Sequence, residues 1–428
     1  MPVGARPRAA SFSAASRRRA RIGLALAGGG PLGGIYEVGA LLALGEALQG
    51  VDLNDLDVYV GVSSGGFVAA ALANGISPAQ MYRLFIAEGR DAALPPALFL
   101  RPALGEFWRR AISVPRLATA SLAAFLRDPL RHGALESFAA LGRAVPTGLF
   151  DQRAIHDFLT RLLGRSGRSN DFRKLRHKLL LVATNLDTGA PVTFGSPGFD
   201  HVPIDKAIAA SAALPGLFPP VEIDGEHYVD GALNKTLHAS AALDCGVELL
   251  LCVNPLVPFD ASAAARRRRL TVEKIDHGGL PLVLAQTFRA IIHSRMRVGM
   301  EKYRQQYPHA DVLLFEPDRE DADMFFANIF SYTHRAELCA TAYRNTRQRL
   351  IAQAGTLAPR LARHGIALDV DRLREEHHTL RAALCDPRPL FLERPTLKVA
   401  ARALSRTLDA LEECLRSGAP EPCRRAAA

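Results

Sequence analysis

The chain has 428 residues, of which 48% are hydrophobic and 22% charged, with a formal net charge of +10. That composition fits a globular protein with one large core or two, rather than a disordered polymer. No apolar stretch reaches the roughly 18 residues of a membrane-spanning helix.

The charge is unevenly placed. Arg6, Arg8, Arg17, Arg18, Arg19 and Arg21 precede residue 22 without a single acid, and Arg266–Arg269 add four more. Without those ten arginines, basic and acidic residues balance at 43 each. Residues 1–20 therefore read as a basic, disordered arm. Such clusters could hold an anionic membrane surface or bind nucleic acid non-specifically, and a solvated tail has the same composition.

The first strand expected is 22–27, Ile22-Gly23-Leu24-Ala25-Leu26-Ala27, running into Gly28-Gly29-Gly30-Pro31-Leu32-Gly33-Gly34. The arginines before it give a superficial likeness to a twin-arginine export signal. Cleavage after so short an apolar run would remove this strand, so the segment is expected to stay with the folded body. A strand feeding consecutive glycines and a helix aims several backbone N–H groups at one point, which suits an oxyanion. The same Gly28-x-Gly30-x-x-Gly33 matches a dinucleotide fingerprint, but no clear acid follows a second strand at the required distance.

The second strand, 57–62, leads through Gly61-Val62-Ser63-Ser64-Gly65 into the apolar run Phe67–Ala73. G-x-S-x-G between strand and helix is a nucleophile elbow. Its glycines let backbone segments crowd while the serine is held in a strained turn at the helix head. The spacing sets the register on Ser63 rather than Ser64. By itself the pattern is also an ordinary glycine-rich turn.

Residues 91–149 interrupt the alternation with proline-punctuated helical patterns, the only tryptophan (Trp108) and scattered arginines. That composition suits a lipid-facing cap or an ordinary helical insertion. Further strands are expected at 178–184, 191–195, 248–253 and 311–316; continuous apolar runs such as Leu179–Ala183 suit a mainly parallel sheet buried on both faces. Val221–Val229 reads as a hairpin turning at Asp224-Gly225 that delivers Asp230-Gly231-Ala232 at its end. From 334 the pattern is helical, at 334–354, 369–384 and 395–416. His377 and His378 are adjacent and do not share a helix face, so they do not suggest a metal site. The six cysteines show no C-x-x-C spacing and carry no zinc or redox signal. They fit a reducing, cytoplasmic setting.

Together, G-G-G-x-x-G at 28–33, G-x-S-x-G at 61–65 and D-G-A at 230–232 resemble the patatin-like phospholipase family. Ala183-Thr184-Asn185-Leu186-Asp187-Thr188-Gly189 and Ser211-Ala212-Ala213-Leu214-Pro215-Gly216 extend the resemblance across about residues 20–350. It implies a three-layer α/β/α fold with a mainly parallel central sheet, a helical insertion (about 91–149) and a helical C-terminal extension. The expected organisation is a basic arm at 1–20, a catalytic domain at 21–333 and the extension at 334–428. The family often carries Arg or Lys where this chain has Leu32, so a cation at that place is missing or is supplied from elsewhere.

The resemblance further implies a serine lipid acyl hydrolase, a carboxylic ester hydrolase of phospholipase A or lysophospholipase type. Ser63 would be the nucleophile and Asp230 the proton acceptor. Backbone N–H groups of Gly28, Gly29, Gly30 and Ser64 would form the oxyanion hole. Gly33, Gly61, Gly65 and Gly231 are motif glycines, and no cofactor or metal is required. Asp230 would need a pKa raised by burial to serve as a base near neutrality. The substrate would be a lipid or ester. Contact with an anionic membrane through residues 1–20 and Arg266–Arg269 is left open, as is a place at the inner membrane face. No specific nucleic acid is expected. An α/β-hydrolase-type Ser-Asp-His enzyme using His238, His277 or His293 is the alternative, and a nucleotide-binding protein using the 28–33 loop is the alternative of another class.

Overall fold

The structure is a computed structural model that describes residues 19–87, 101–127, 145–235, 237–263, 275–320, 334–375 and 379–384, with 408 alone beyond them. Most of the arm, Arg266–Arg269, much of the 91–149 insertion, His377-His378 and the 395–416 segment lie outside the described residues. Two compact units divide the chain, 1–164 with 168–386 and 165–167 with 387–428. Every element named here belongs to the first.

An eight-stranded mixed sheet forms the centre, flanked by helices in the α/β/α arrangement that the resemblance implies. Its parallel heart consists of β1 (Ile22–Leu26), β3 (Val58–Val62), β4 (Lys178–Asn185), β8 (Leu249–Val253) and β9 (Asp311–Phe315), in the order β4-β3-β1-β8-β9. Every residue of β1, β3 and β8 is buried, which is why these segments read as unbroken apolar runs. Each such Leu or Val side chain contributes about 1.5–3 kcal/mol on burial. The antiparallel part is β5 (Pro191–Phe194), β6 (Val221–Ile223) and β7 (Glu226–Asp230). The expected hairpin turns at Asp224, whose φ is 53°, and Gly225. A small pair, β2 (Leu48–Gln49) with β10 (Ala367–Leu368), was not foreseen.

The register of β4 decides where the ends of β3 and β7 meet. Val182 pairs with Val62, the last residue of β3. The next residue, Ala183, pairs with Val192 of β5 on one side and with Asp230 of β7 on the other. Strand β7 therefore continues the ladder on the side where β3 stops. Gly231 sits in that corner: a Cβ on it would lie 2.3 Å from the Val182 carbonyl oxygen and 3.2 Å from Val62 Cγ1.

Helix α1 (Gly30–Ala47) follows the glycine loop, and α2 (Ser64–Ala73) follows the elbow. Helix α3 (Leu104–Arg127) is the described helix of the insertion and exposes Phe107, Trp108, Ile112 and Val114. Helices α4 (Arg153–Leu163), α5 (Ile204–Ser211), α6 (Ala239–Leu243) and α7 (Gly279–Gln306) complete the layers. The 28-residue α7 has no counterpart among the elements expected from the sequence. Toward the C-terminus the expected 334–354 helix is α8 (Arg335–Ala352), followed at once by α9 (Ala354–Arg363). Helix α8 packs on α1 so closely that a Cβ on Gly39 would lie 2.5 Å from the Cys339 carbonyl. The expected 369–384 helix is broken into Val370–Arg374 and Leu380–Ala383. Residues 334–386 fall in the same compact unit as the sheet. At the other end, Arg19 of the arm bonds the Asp55 carboxylate and carbonyl. Among the described residues no helix is long and apolar enough to cross a membrane.

Candidate functional site

Ser63 stands between β3 and α2 with φ 53° and ψ −124°. Among the described residues only Ser63 and Asp224 combine a side chain with positive φ. Such a conformation costs about 1–3 kcal/mol and needs outside support. Part of the support is glycine. A Cβ on Gly61 would meet Gly66 Cα at 2.4 Å, and one on Gly65 would meet the Ala27 and Leu26 carbonyls at 2.6 Å. The elbow thus presses directly on its own return and on the end of β1. The remaining support comes from Ser211. Its Oγ accepts the Ser63 N–H at 2.9 Å and donates to the Val182 carbonyl at 2.6 Å, fully out of water.

Asp230 ends β7 beside Ser63. Its N–H donates to the Ala213 carbonyl at 3.0 Å, and its Oδ1 accepts the Ala232 N–H at 2.8 Å. The carboxylate is 2% exposed. Burial raises its pKa from the ordinary 3.8 to about 6, although hydrogen bonds from the Ser63 side chain and the Ala232 N–H pull it back down. The buried carboxylate and the Ser63 side chain therefore interact directly. The turn 211–215 braces both: Ser211 holds the backbone of Ser63, and Ala213 holds the backbone of Asp230. The sequence pattern gives Ser211 no role, because a buried serine accepting from a backbone 148 positions away leaves no local signal.

The glycine loop closes on the same point. A Cβ on Gly28 would lie 3.0 Å from Ser63 Cβ and 3.1 Å from Ala232 Cβ. Gly29 and Gly33 pack on Pro255, and a Cβ on Gly29 would lie 2.6 Å from its ring. Gly30 has φ 62° and open space where a Cβ would point. Among the described residues the N–H groups of Gly28, Gly29, Gly30 and Ser64 have no acceptor. Ser64 is the first residue of α2, and its Oγ is out of water with no hydrogen-bond partner among the described residues. Unpaired N–H groups at two helix heads form a place where negative charge is favoured.

Of the three histidines considered as a base, none hydrogen-bonds Ser63 or Asp230 among the described residues. His238 is nearest in chain. It is buried, which lowers its pKa to about 4, and it is held by the Gly231 carbonyl. Its Nε2 has no partner among the described residues. His293 is pulled downward by burial, against the carboxylate of Glu316. His277 lies on the exposed start of the α7 segment.

Ser63, Asp230, Gly29 and Gly30 open into a cavity of about 890 Å³. Its walls are mainly apolar: Leu32, Val38, Phe67, Phe85, Leu159 and Ile208 from helical segments earlier in the chain, and Phe288, Ile292, Met296 and Tyr303 from α7. Leu32, at the place where the family often carries a cation, belongs to this apolar wall. The cations that do line the cavity stand elsewhere, on Lys235 and on Arg289, Arg295 and Lys302 of α7. Burial depresses the pKa of Arg289. The arrangement can generate an alkoxide, hold an oxyanion and house a long apolar group.

The model of the patatin-like phospholipase family matches residues 24–243. Among solved structures the chain is similar to VipD from Legionella pneumophila, at 16% identity over 78% of this chain and 67% of that one, with a TM-score of 0.39. It is similar to the type III effector ExoU of Pseudomonas aeruginosa at 16% identity, over 78% and 53%, with a TM-score of 0.31. It is also similar to human GIVD cytosolic phospholipase A2 at 16% identity, over 80% and 59%, with a TM-score of 0.30. The chain thus spans about half to two thirds of the length of these solved chains.

Proposed function

The chain belongs to the patatin-like phospholipase family, and from that premise we propose that it is a serine acyl hydrolase that cleaves fatty acyl esters with a Ser63–Asp230 dyad. The observation that carries the reading is one juxtaposition. A serine held at φ 53° on a helix head interacts with a buried carboxylate whose pKa is raised to about 6.

As Ser63 Oγ bonds to the ester carbonyl carbon, Asp230 takes its proton. The carbonyl π pair moves to oxygen, and that charge meets the N–H groups of Gly28–Gly30 and Ser64. Collapse expels the alcohol, which takes the proton back from Asp230, and leaves an acyl-Ser63. Water, deprotonated by Asp230, then releases the fatty acid and regenerates Ser63. A pKa near 6 leaves Asp230 ionised at neutral pH yet more basic than an ordinary carboxylate. The acyl chain fits among Phe67, Phe85, Ile208 and Met296, and the cavity cations favour a lipid with an anionic headgroup over a neutral ester. Contact with an anionic membrane through the basic arm and Arg266–Arg269 stands as part of this reading, on charge alone.

A fluorophosphonate ester tests the proposal. It should label Ser63, and Ser63→Ala should lose both labelling and fatty acid release, while Ser64→Ala should keep its label. Adduct mapping to another serine would overturn the assignment.

A further inference from the structure

Helix α7 has two apolar faces where an ordinary surface helix has one. Met296 and Tyr303 are buried on the inner face. Leu280, Leu284, Ile291 and Val298 fall within about 40° of one another on a 100°-per-residue wheel, on the opposite side. Leu280 and Val298 are each 70% exposed, and Leu284 and Ile291 are 44% and 50% exposed. Val283 and Phe288 flank the stripe and are exposed as well. A contiguous apolar patch of this kind on a helix marks an interaction surface.

Charge and position narrow the occupant. Between Gly279 and Met300 the helix carries Arg289, Arg295 and Arg297 and no Asp or Glu. Arg295 stands one turn beyond Ile291 and Lys302 one turn beyond Val298, on the same side as the stripe. Arg295, Arg297 and Lys302 form no ion pair among the described residues. Phe288, Ile291, Arg295, Val298 and Lys302 are at once solvent-exposed and part of the cavity lining. The stripe is therefore continuous with the mouth of the chamber that holds Ser63.

We propose that the outer face of α7 docks on an anionic phospholipid bilayer and feeds lipid directly into the Ser63 cavity. The leucines, Ile291, Phe288 and Val298 enter the acyl region. Arg295, Arg297 and Lys302 lie at the depth of the phosphates, an arrangement suited to an interfacial helix. A lipid then slides along α7 with its headgroup on Arg295 and Lys302 and its chain between Phe288 and Ile291, without crossing water. A folded partner protein seated here would cap the mouth, whereas a bilayer both covers the stripe and supplies an amphiphile of the cavity's chemistry. The fate of the lipid rests on the hydrolase reading above; the docking does not.

The test uses the full chain and vesicles of phosphatidylcholine with or without phosphatidylglycerol. Leu280→Ser/Leu284→Ser and Arg297→Glu alter exposed positions outside the cavity lining. Each should weaken sedimentation with anionic vesicles by roughly ten- to a hundredfold. Hydrolysis of a soluble short-chain ester should stay unchanged, so failure of the hydrolase reading would show separately, as no ester cleavage by the unaltered chain. Leu284→Trp in a Trp108→Phe background adds a direct readout. Its fluorescence should be quenched by vesicles of brominated lipid. Full vesicle binding without quenching, or unchanged binding by the double serine variant, would overturn the proposal. So would a dimer in sedimentation equilibrium that the double serine variant abolishes, since the stripe would then be covered by a second copy.

Discussion

Replacing Asp230 by Asn should make the protein more stable as it makes it inactive. Asp230 is 2% exposed, and burial raises its pKa from 3.8 to about 6. A raised carboxylate pKa means that the folded state binds the proton more tightly than the unfolded one. Below about pH 3.8 both states are protonated and the cost of the buried charge is absent. Between 3.8 and 6 the cost grows, and above 6 it is complete. The shift of about two units, at about 1.36 kcal/mol per unit, sets that cost near 3 kcal/mol. Asn keeps an oxygen for the Ala232 N–H and carries no charge, so the cost disappears. The stability difference between variant and wild type should therefore widen by about 2 kcal/mol from pH 4.5 to pH 8. Urea unfolding at the two pH values measures it, and hydrolysis of a soluble ester should fall roughly 10²–10⁴-fold, the usual worth of a general base. If the variant's advantage were the same at both pH values, Asp230 would not be a buried carboxylate with a raised pKa. If activity survived, it would not be the base.

Other outcomes follow from the same geometry. Ser211→Ala leaves the Ser63 N–H without an acceptor in a dry site, a loss of about 1–3 kcal/mol; turnover should drop roughly tenfold or more with KM little changed, and steady-state kinetics would separate the two. Gly231→Ala drives a Cβ to 2.3 Å from the Val182 carbonyl, so β7 must shift and Asp230 with it; fluorophosphonate labelling should slow steeply, with a lower unfolding midpoint. His238→Gln should retain most hydrolysis, because the ring bonds Gly231 and not the dyad; a loss as deep as that of Asp230→Asn would replace the dyad with a triad. Turnover should rise with pH through about 6 and then level, since Asp230 must be ionised to accept a proton, and a pH–rate profile reads that inflection.

Much of the framework was legible from residues because its causes are local. Strands buried on both faces must be apolar throughout, so Ile22–Leu26, Val58–Val62 and Leu249–Val253 announce themselves. A serine at positive φ needs glycines where backbones touch, so Gly61 and Gly65 mark Ser63. The hairpin turn at Asp224-Gly225 carries its own φ signature. What tertiary structure alone decided is which distant pieces meet. The ladder register on β4 sets Asp230 against the end of β3, and no residue near Asp230 encodes that pairing. Its pKa is raised by what surrounds it, not by its neighbours in chain. Ser211 braces Ser63 from 148 residues away. Helix α7, with apolar residues on two faces, has a periodicity that sequence cannot assign to inside or outside. Only the packing of Met296 and Tyr303 against the body turns Leu280, Ile291 and Val298 toward solvent, because a helix can bury just the face that the sheet and its loops reach.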